Sequence, residues 1–372
     1  MTKNKKSALS SRQKLFCLMS AVAMLITFRY SDIAIASMSQ GMKLCVSTVI
    51  PSLFPFMVLS ELIVSSGASE FMGRYLAYPF GKLFNVSRDG AAVFLLGLLC
   101  GFPVATKSAV SLYKRGRISK GELEHLCSFC NSPSSAFLIS AVGSGLFGSR
   151  SFGVLLYAAH IISSVILGLC GRAWFDKKKK DAEYFTSPTL SSYRKKGGVE
   201  AFSNAVTGSA ESMLYICAFI VFFSAAVGLL RFFAESLALP DIFVALCFGF
   251  FEMTGGVSAA AELPRALALP VVALITGWSG LSVHFQFVGV CNLKDDGFSL
   301  RPYLLSKLFC ALLNFITVII FTRFFGHLIV FGEQGSAASL LLVPVAPLNL
   351  IPLAVFFTGC AVRLAKIDRG GE

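Results

Sequence analysis

The chain has 372 residues, 55% of them apolar and only 14% charged, and its mean hydropathy is +0.72. A water-soluble domain of that length needs far more charged surface, so the composition excludes the soluble classes and leaves residence in a membrane. The net charge of +13 would suggest nucleic acid in a soluble protein. Here the Lys and Arg residues lie between apolar segments, where they mark cytoplasmic loops, and nucleic acid is set aside as a partner.

In chain order, Lys3, Lys5, Lys6, Arg12 and Lys14 precede an apolar run, and Ala34-Ile35-Ala36 offers small residues of the kind found at a signal cleavage site. An uncleaved first span over 15–36 is expected, with cleavage as the alternative. Residues 44–64 then return, carrying Pro51 and Pro55, which kink the span or delay its start. Residues 69–85 place Arg74 and Lys82 among Phe71, Tyr75, Leu76 and Phe80, and read as an amphipathic helix on the inner surface. The next apolar block, 90–113, is interrupted at Gly101-Phe102-Pro103. Each arm of about ten residues spans roughly 15 Å as helix, half a hydrocarbon core. A full crossing would carry Lys114, Arg115, Arg117 and Lys120 outside, whereas a re-entrant hairpin keeps them inside, so the charge rule selects the hairpin. Residues 122–147 cross outward with a break at Asn131–Ser135, and 152–171 cross back. The segment 172–200, with Lys177 to Lys180, Arg194, Lys195 and Lys196, reads as a solvated cytoplasmic linker.

After the linker the order repeats. Residues 211–233 cross outward, and 242–262, interrupted at Thr254-Gly255-Gly256, read as a hairpin from the outer face. Residues 265–290 cross inward, broken at Gly277-Trp278-Ser279-Gly280, and spans over 303–325 and 340–362 follow. The expected fold is therefore an all-α polytopic membrane protein, with about eight transmembrane helices plus two re-entrant hairpins arranged as an inverted repeat. Its units are 1–40 (tail and first span), 41–172 (first repeat), 173–200 (basic linker), 201–327 (second, inverted repeat) and 328–372 (last span and tail).

Helix breaks in hydrocarbon leave backbone groups that must be satisfied by protein or by a water-filled cavity, and their helix N-termini favour anions. The candidate substrate-binding residues are accordingly Gly101, Pro103, Thr106, Lys107 and Ser108 at the first hairpin, and Asn131, Ser132 and Ser134 at the first broken span. Gly255 and Gly256 at the second hairpin and Ser279 and His284 at the second broken span complete the set. Close helix packing is the competing explanation for the Gly and Ser residues. Lys107 is an intramembrane cation suited to a carboxylate, with snorkelling to the inner surface as its alternative. Glu252 is the candidate for proton or cation coupling, against a paired structural Glu. Cys127 and Cys130 form a lone CxxC after His125, read as helix packing rather than as a metal site. There is no GxxxxGK[ST], HExxH or GxSxG motif, so neither enzyme chemistry nor a cofactor or metal is expected.

Three segments carry a resemblance: IPSLFPFMVLSELIVSSG at 50–67, GLLCGFPVATKSAVSLYKRGRIS at 97–119 and LCSFCNSPSSAFLISAVGSGLFG at 126–148. Together they resemble sporulation integral membrane proteins that contain nucleoside-recognition, or Gate, domains. The resemblance implies a role in endospore formation, in the mother-cell-derived outer forespore membrane, and includes a relative assigned to moving dipicolinic acid. It places the family pattern on Gly101, Pro103, Lys107, Asn131 and Ser132. The function expected is secondary transport of a small organic anion, dipicolinic acid. The alternatives are transport of a nucleoside or other small solute, and a non-transport sporulation scaffold that docks through the basic linker. The implied partners are that anion and the lipid bilayer, with homo-oligomerisation left open.

Overall fold

The computed structural model describes residues 10–66, 78–181, 198–291 and 298–330, and these form helices and short connections with no strand among them. Helix α1 (Ser11–Arg29) opens on a reciprocal cap: Gln13 N–H donates to Ser10 Oγ (3.3 Å), and Ser10 N–H donates to Gln13 Oε1 (2.8 Å). At Tyr30 the backbone leaves the helical region (φ −117°, ψ 41°), and the chain turns by 93° into α2 (Ser31–Leu44). The first span expected over 15–36 is thus divided. The Tyr30 ring anchors the bend against Phe232 and Phe233, at centroid distances of 5.2 and 5.4 Å. Helix α2 then runs through a π-helical turn (Cys45–Val49) into α3 (Ile50–Ser65). The return span expected over 44–64 is therefore a continuation of α2. Pro51 and Pro55 lack the N–H of a regular helix and crowd the carbonyl four residues earlier; the wider turn just ahead of Pro51 absorbs that mismatch.

Next come α4 (Tyr78–Phe84), α5 (Arg88–Cys100), α6 (Val104–Lys114), α7 (Lys120–Phe129), a π-helical segment (Ala136–Leu146) and α8 (Arg150–Asp181). Ser87 and Ser119 cap α5 and α7, accepting from Gly90 N–H (3.0 Å) and Glu122 N–H (3.2 Å). Only α4 of the expected amphipathic segment 69–85 is described as a helix, and its Phe80 and Phe84 dock on Phe94 of α5. Helix α8 continues to Asp181, so Lys177 to Lys180 extend the helix; residues 182–197 of the expected linker lie outside the described residues. The second half has α9 (Gly198–Ser236), α10 (Asp241–Phe251), α11 (Met253–Ala260), α12 (Arg265–Trp278), α13 (Gly280–Cys291) and α14 (Leu300–Val330). The span expected over 340–362 also lies outside the described residues.

Among the described residues, four stretches are long and apolar enough to cross a membrane: those of α8, α9, the broken pair α12–α13, and α14. The bent pair α1–α2 makes a fifth if it counts as one span. Helix α9 is the scaffold for α2. A Cβ on Gly41 would lie 2.9 Å from Ser224 Cβ, and one on Gly228 would lie 2.6 Å from Ser37 Cβ, so small residues let the two helices approach closely.

Two large clusters make up most of the apolar core, with a smaller one where α3 and the first hairpin meet α9 (Met57, Cys100, Val104, Met213, Ile216, Ile220). One cluster joins the first hairpin (Val93, Phe94, Ala105, Ala109) to Leu126, Phe129, Phe287 and Tyr303. The other joins the second hairpin (Ala245, Phe248, Val257, Ala260) to Leu138, Leu156, Val272, Ile275 and Val318. Following α7, α8, α12–α13 or α14 from one cluster to the other, each chain passes a short run of buried polar residues: Asn131–Ser132, His160 with Ser163–Ser164, Thr276 to Ser282, and Lys307 to Asn314.

Candidate functional site: a buried polar layer at the helix breaks

The first two breaks pack directly on each other. Helix α5 ends at Gly101, whose φ of +71° and ψ of −167° are accessible to glycine and costly for residues with a Cβ. A Cβ there would lie 2.7 Å from Ser134 Cα and 2.9 Å from the carbonyl carbon of Pro133, so only glycine lets the hairpin tip touch the broken span. Phe102 N–H donates to the Ser132 carbonyl (2.7 Å), giving part of the unwound backbone a partner. Thr106 Oγ1 donates to Asn131 Oδ1, and Asn131 Nδ2 donates to the Cys127 carbonyl (2.8 Å), which fixes the amide orientation. Ser132 Oγ meets Ser164 Oγ at 3.0 Å, and Ser134 Oγ accepts from Phe137 N–H (3.2 Å).

The second half repeats the contact with different chemistry. Helix α12 stops at Ser279 (φ +74°), and a Cβ on Gly280 would lie 3.0 Å from Met253 N and 3.2 Å from Glu252 Cα. The hairpin break itself falls at Glu252, one turn before the expected 254–256. The Glu252 carboxylate accepts from Thr254 N–H (3.0 Å), Gly255 N–H (2.6 Å) and Thr254 Oγ1, and so folds Thr254, Gly255 and Gly256 into the first turn of α11. Gly256 serves close packing: the space its Cβ would need is occupied by the backbone of Gly249 on the other arm. Trp278 Nε1 donates to the Phe250 carbonyl (3.1 Å) across the same junction.

Lys307 of α14 joins the two halves. Its Nζ donates to the Asn131 carbonyl in the first broken span and to Ser279 Oγ in the second (3.2 Å). The side chain is 3% exposed, and no carboxylate of the described residues forms an ion pair with it. Two further groups on the same face of α14 extend the layer, because positions four and seven residues apart share a helix face. Tyr303 Oη lies 3.0 Å from His284 Nδ1. Asn314 Nδ2 donates to His160 Nε2 (3.0 Å) while its Oδ1 accepts from Ser163 Oγ (2.7 Å), and His160 Nε2 also lies 3.1 Å from Thr276 Oγ1.

Of the candidates read from sequence, Gly101, Thr106, Asn131, Ser132, Ser134 and Ser279 meet in this layer, with Pro103 at the start of α6. His284 sits one helical turn from Lys307 through Tyr303, flanked by Trp278 at 4.3 Å between ring centroids. Lys107 points away, donating to Ser209 Oγ of α9 (2.8 Å), and the buried Ser108 hydroxyl has no hydrogen-bond partner among the described residues. Glu61 pairs instead with Arg115 (2.8 Å) near the basic end. Cys127 and Cys130 are buried in the first apolar cluster, beside His125, whose Nε2 faces the Phe84 carbonyl (3.2 Å). Sequence reading passed over Lys307 and Asn314, although a lysine and an asparagine seven residues apart in LLSKLFCALLNFITV are a readable signal.

Among known proteins, the chain is 30% identical over 299 residues to the sporulation integral membrane protein YlbJ of Bacillus subtilis (strain 168), the match covering 72% of this chain and 72% of that relative. No family model matches the chain. No solved structure matches it either.

Proposed function

The chain belongs to the sporulation integral membrane protein family represented by YlbJ, and from that premise we propose that it is a secondary transporter of a small organic anion, dipicolinic acid, in a sporulating cell. The observation that carries the reading is the meeting of four backbone breaks on one buried polar layer, tied together by Lys307. Unwound backbone at membrane depth is costly, and proteins tolerate it where it lines a binding site or pathway. The first hairpin packs in one apolar cluster and the second in the other, which supports half-depth hairpins entering from opposite faces. That arrangement in turn supports an inverted repeat with a midplane site, as in Gate-type transporters, in which the four or five spans of the described residues belong to a set of about eight.

The chemistry of the layer suits an anion. Helices α6 and α13 begin at breaks, so their N-termini bring partial positive charge to it, whereas the N-terminus of α11 is already capped by the Glu252 carboxylate. Hydroxyl and amide groups of Thr106, Asn131, Ser132 and Ser279 add polar partners beside aromatic rings such as Trp278 and Tyr303. Dipicolinate, with two carboxylates on a pyridine ring, matches both features. The outer forespore membrane is the corresponding location. Flux of radiolabelled dipicolinate into proteoliposomes holding the full chain tests the proposal. Folded protein that moves none in either direction would sink it, and competition by nucleosides but not by dicarboxylates would replace it with a neutral-solute transporter.

A further inference from the structure

Lys307 is a cation placed where a cation is hardest to keep. It is 3% exposed, two turns into the apolar helix α14, and its two acceptors, the Asn131 carbonyl and the Ser279 hydroxyl, are neutral. An ammonium has three donors, so these account for two of them. Buried charges are ordinarily paired, because removal from water costs several kcal/mol per ion. The ion pairs found among the described residues, Arg115–Glu61 and Arg117–Asp89, lie at the basic end of the first hairpin and leave Lys307 without a counterion. Among the described residues Lys307 therefore has no carboxylate in direct contact; the buried Glu252, at the neighbouring break, spends its oxygens on Thr254 and Gly255. Lys307 is also the point at which the two broken spans are held together, since one acceptor belongs to each.

We propose that Lys307 is the residue that binds a carboxylate of the transported anion, and that the Asn131 carbonyl and Ser279 hydroxyl hold its ammonium in the anion-free state. An arriving carboxylate supplies the direct ionic partner that Lys307 lacks and competes for the same donors. Occupancy then loosens the bridge between the broken spans and makes their separation depend on substrate. Lys107, the cation that the sequence brings forward first, is engaged with Ser209 on α9 and serves a different contact. This assignment rests on the transport reading above and adds to it the residue that reads substrate charge.

The test uses the full chain in detergent and in proteoliposomes, with dipicolinate as probe and its uncharged diamide as control. Wild-type protein should melt higher with dipicolinate and not with the diamide. Lys307→Gln keeps hydrogen-bonding capacity without the charge. It should fold with an anion-free melting temperature equal to or above wild type, and bind dipicolinate at least tenfold more weakly. Lys307→Arg should retain more of the binding than Lys307→Gln. A Lys307→Gln protein that melts lower yet keeps full dipicolinate binding and flux would overturn the assignment, leaving Lys307 as a structural bridge while the transport reading stands. Wild-type protein that neither binds nor moves dipicolinate would overturn both.

Discussion

Replacing Gly101 by alanine tests whether contact between the first hairpin tip and the first broken span holds the site together. Two costs can be worked from the structure. The backbone at φ +71° and ψ −167° lies in a region that is essentially glycine-only, which costs about 1–3 kcal/mol for alanine. The added methyl would also stand 2.7 Å from Ser134 Cα and 2.9 Å from Pro133 C, backbone atoms that cannot rotate away. Overpacking of that kind adds about 1–3 kcal/mol. Gly148 supplies the control, because its φ of +62° is also left-handed but nothing lies within 4 Å of its Cβ position. Gly148→Ala should lose only the conformational term, about 1–2 kcal/mol. Equilibrium unfolding of both variants in mixed micelles, with flux measured on the same preparations, separates the terms. Gly101→Ala should be the less stable protein and should lose flux, while Gly148→Ala transports normally. Equal destabilisation of the two, with flux retained in both, would refute the claim that the breaks are in working contact.

Other perturbations probe the same layer. Thr106→Val strips Asn131 Oδ1 of its donor and should cost about 1–3 kcal/mol by the same unfolding assay. Thr207→Val, where the hydroxyl only bonds its own helix, should cost little. Glu252→Ala removes the acceptor for three donors at the start of α11 and should lower stability by about 0.5–2 kcal/mol, with Glu252→Gln intermediate. In a cysteine-free background, cysteine at Lys114 should react with impermeant reagent from the cytoplasmic side alone, and cysteine at Gly148 from the opposite side. Labelling of the position-114 cysteine from the outer side would contradict the half-depth hairpin. Replacing Cys127 and Cys130 together by alanine should leave flux unchanged, since both side chains pack in the apolar cluster.

Most of the helix breaks are legible in the sequence, because their signals are local. Gly101-Phe102-Pro103, Asn131–Ser135 and Ser279-Gly280 break helices by their own backbone chemistry, and each does so where the residues place it. The Glu252 break was misplaced by a turn because glycine was read as the breaker. There the carboxylate turns the backbone, and the glycines merely allow two arms to touch. The bend at Tyr30 was missed for a different reason. Arg29 and Asp32 interrupt the apolar run there, but the anchor that fixes the bend is a pair of phenylalanines some 200 residues away, a tertiary contact that no window of sequence contains. Lys307 was legible and overlooked, hidden inside a span that otherwise reads as unbroken.

The two large clusters of the core bear on how such a chain can be made. Helices α10 and α11, with 11 and 8 residues, are each too short to enter the bilayer as independent spans. Their apolar bed includes Val272, Ile275 and Val318, which leave the ribosome later, and the first hairpin likewise waits for Phe287 and Tyr303. Neither hairpin can reach its final burial until α14 is in place. The long spans must therefore be in place before either helix pair completes its packing. A chain cut in the linker yields two fragments that each lack part of the core they pack in, because both large clusters draw residues from either side of the cut.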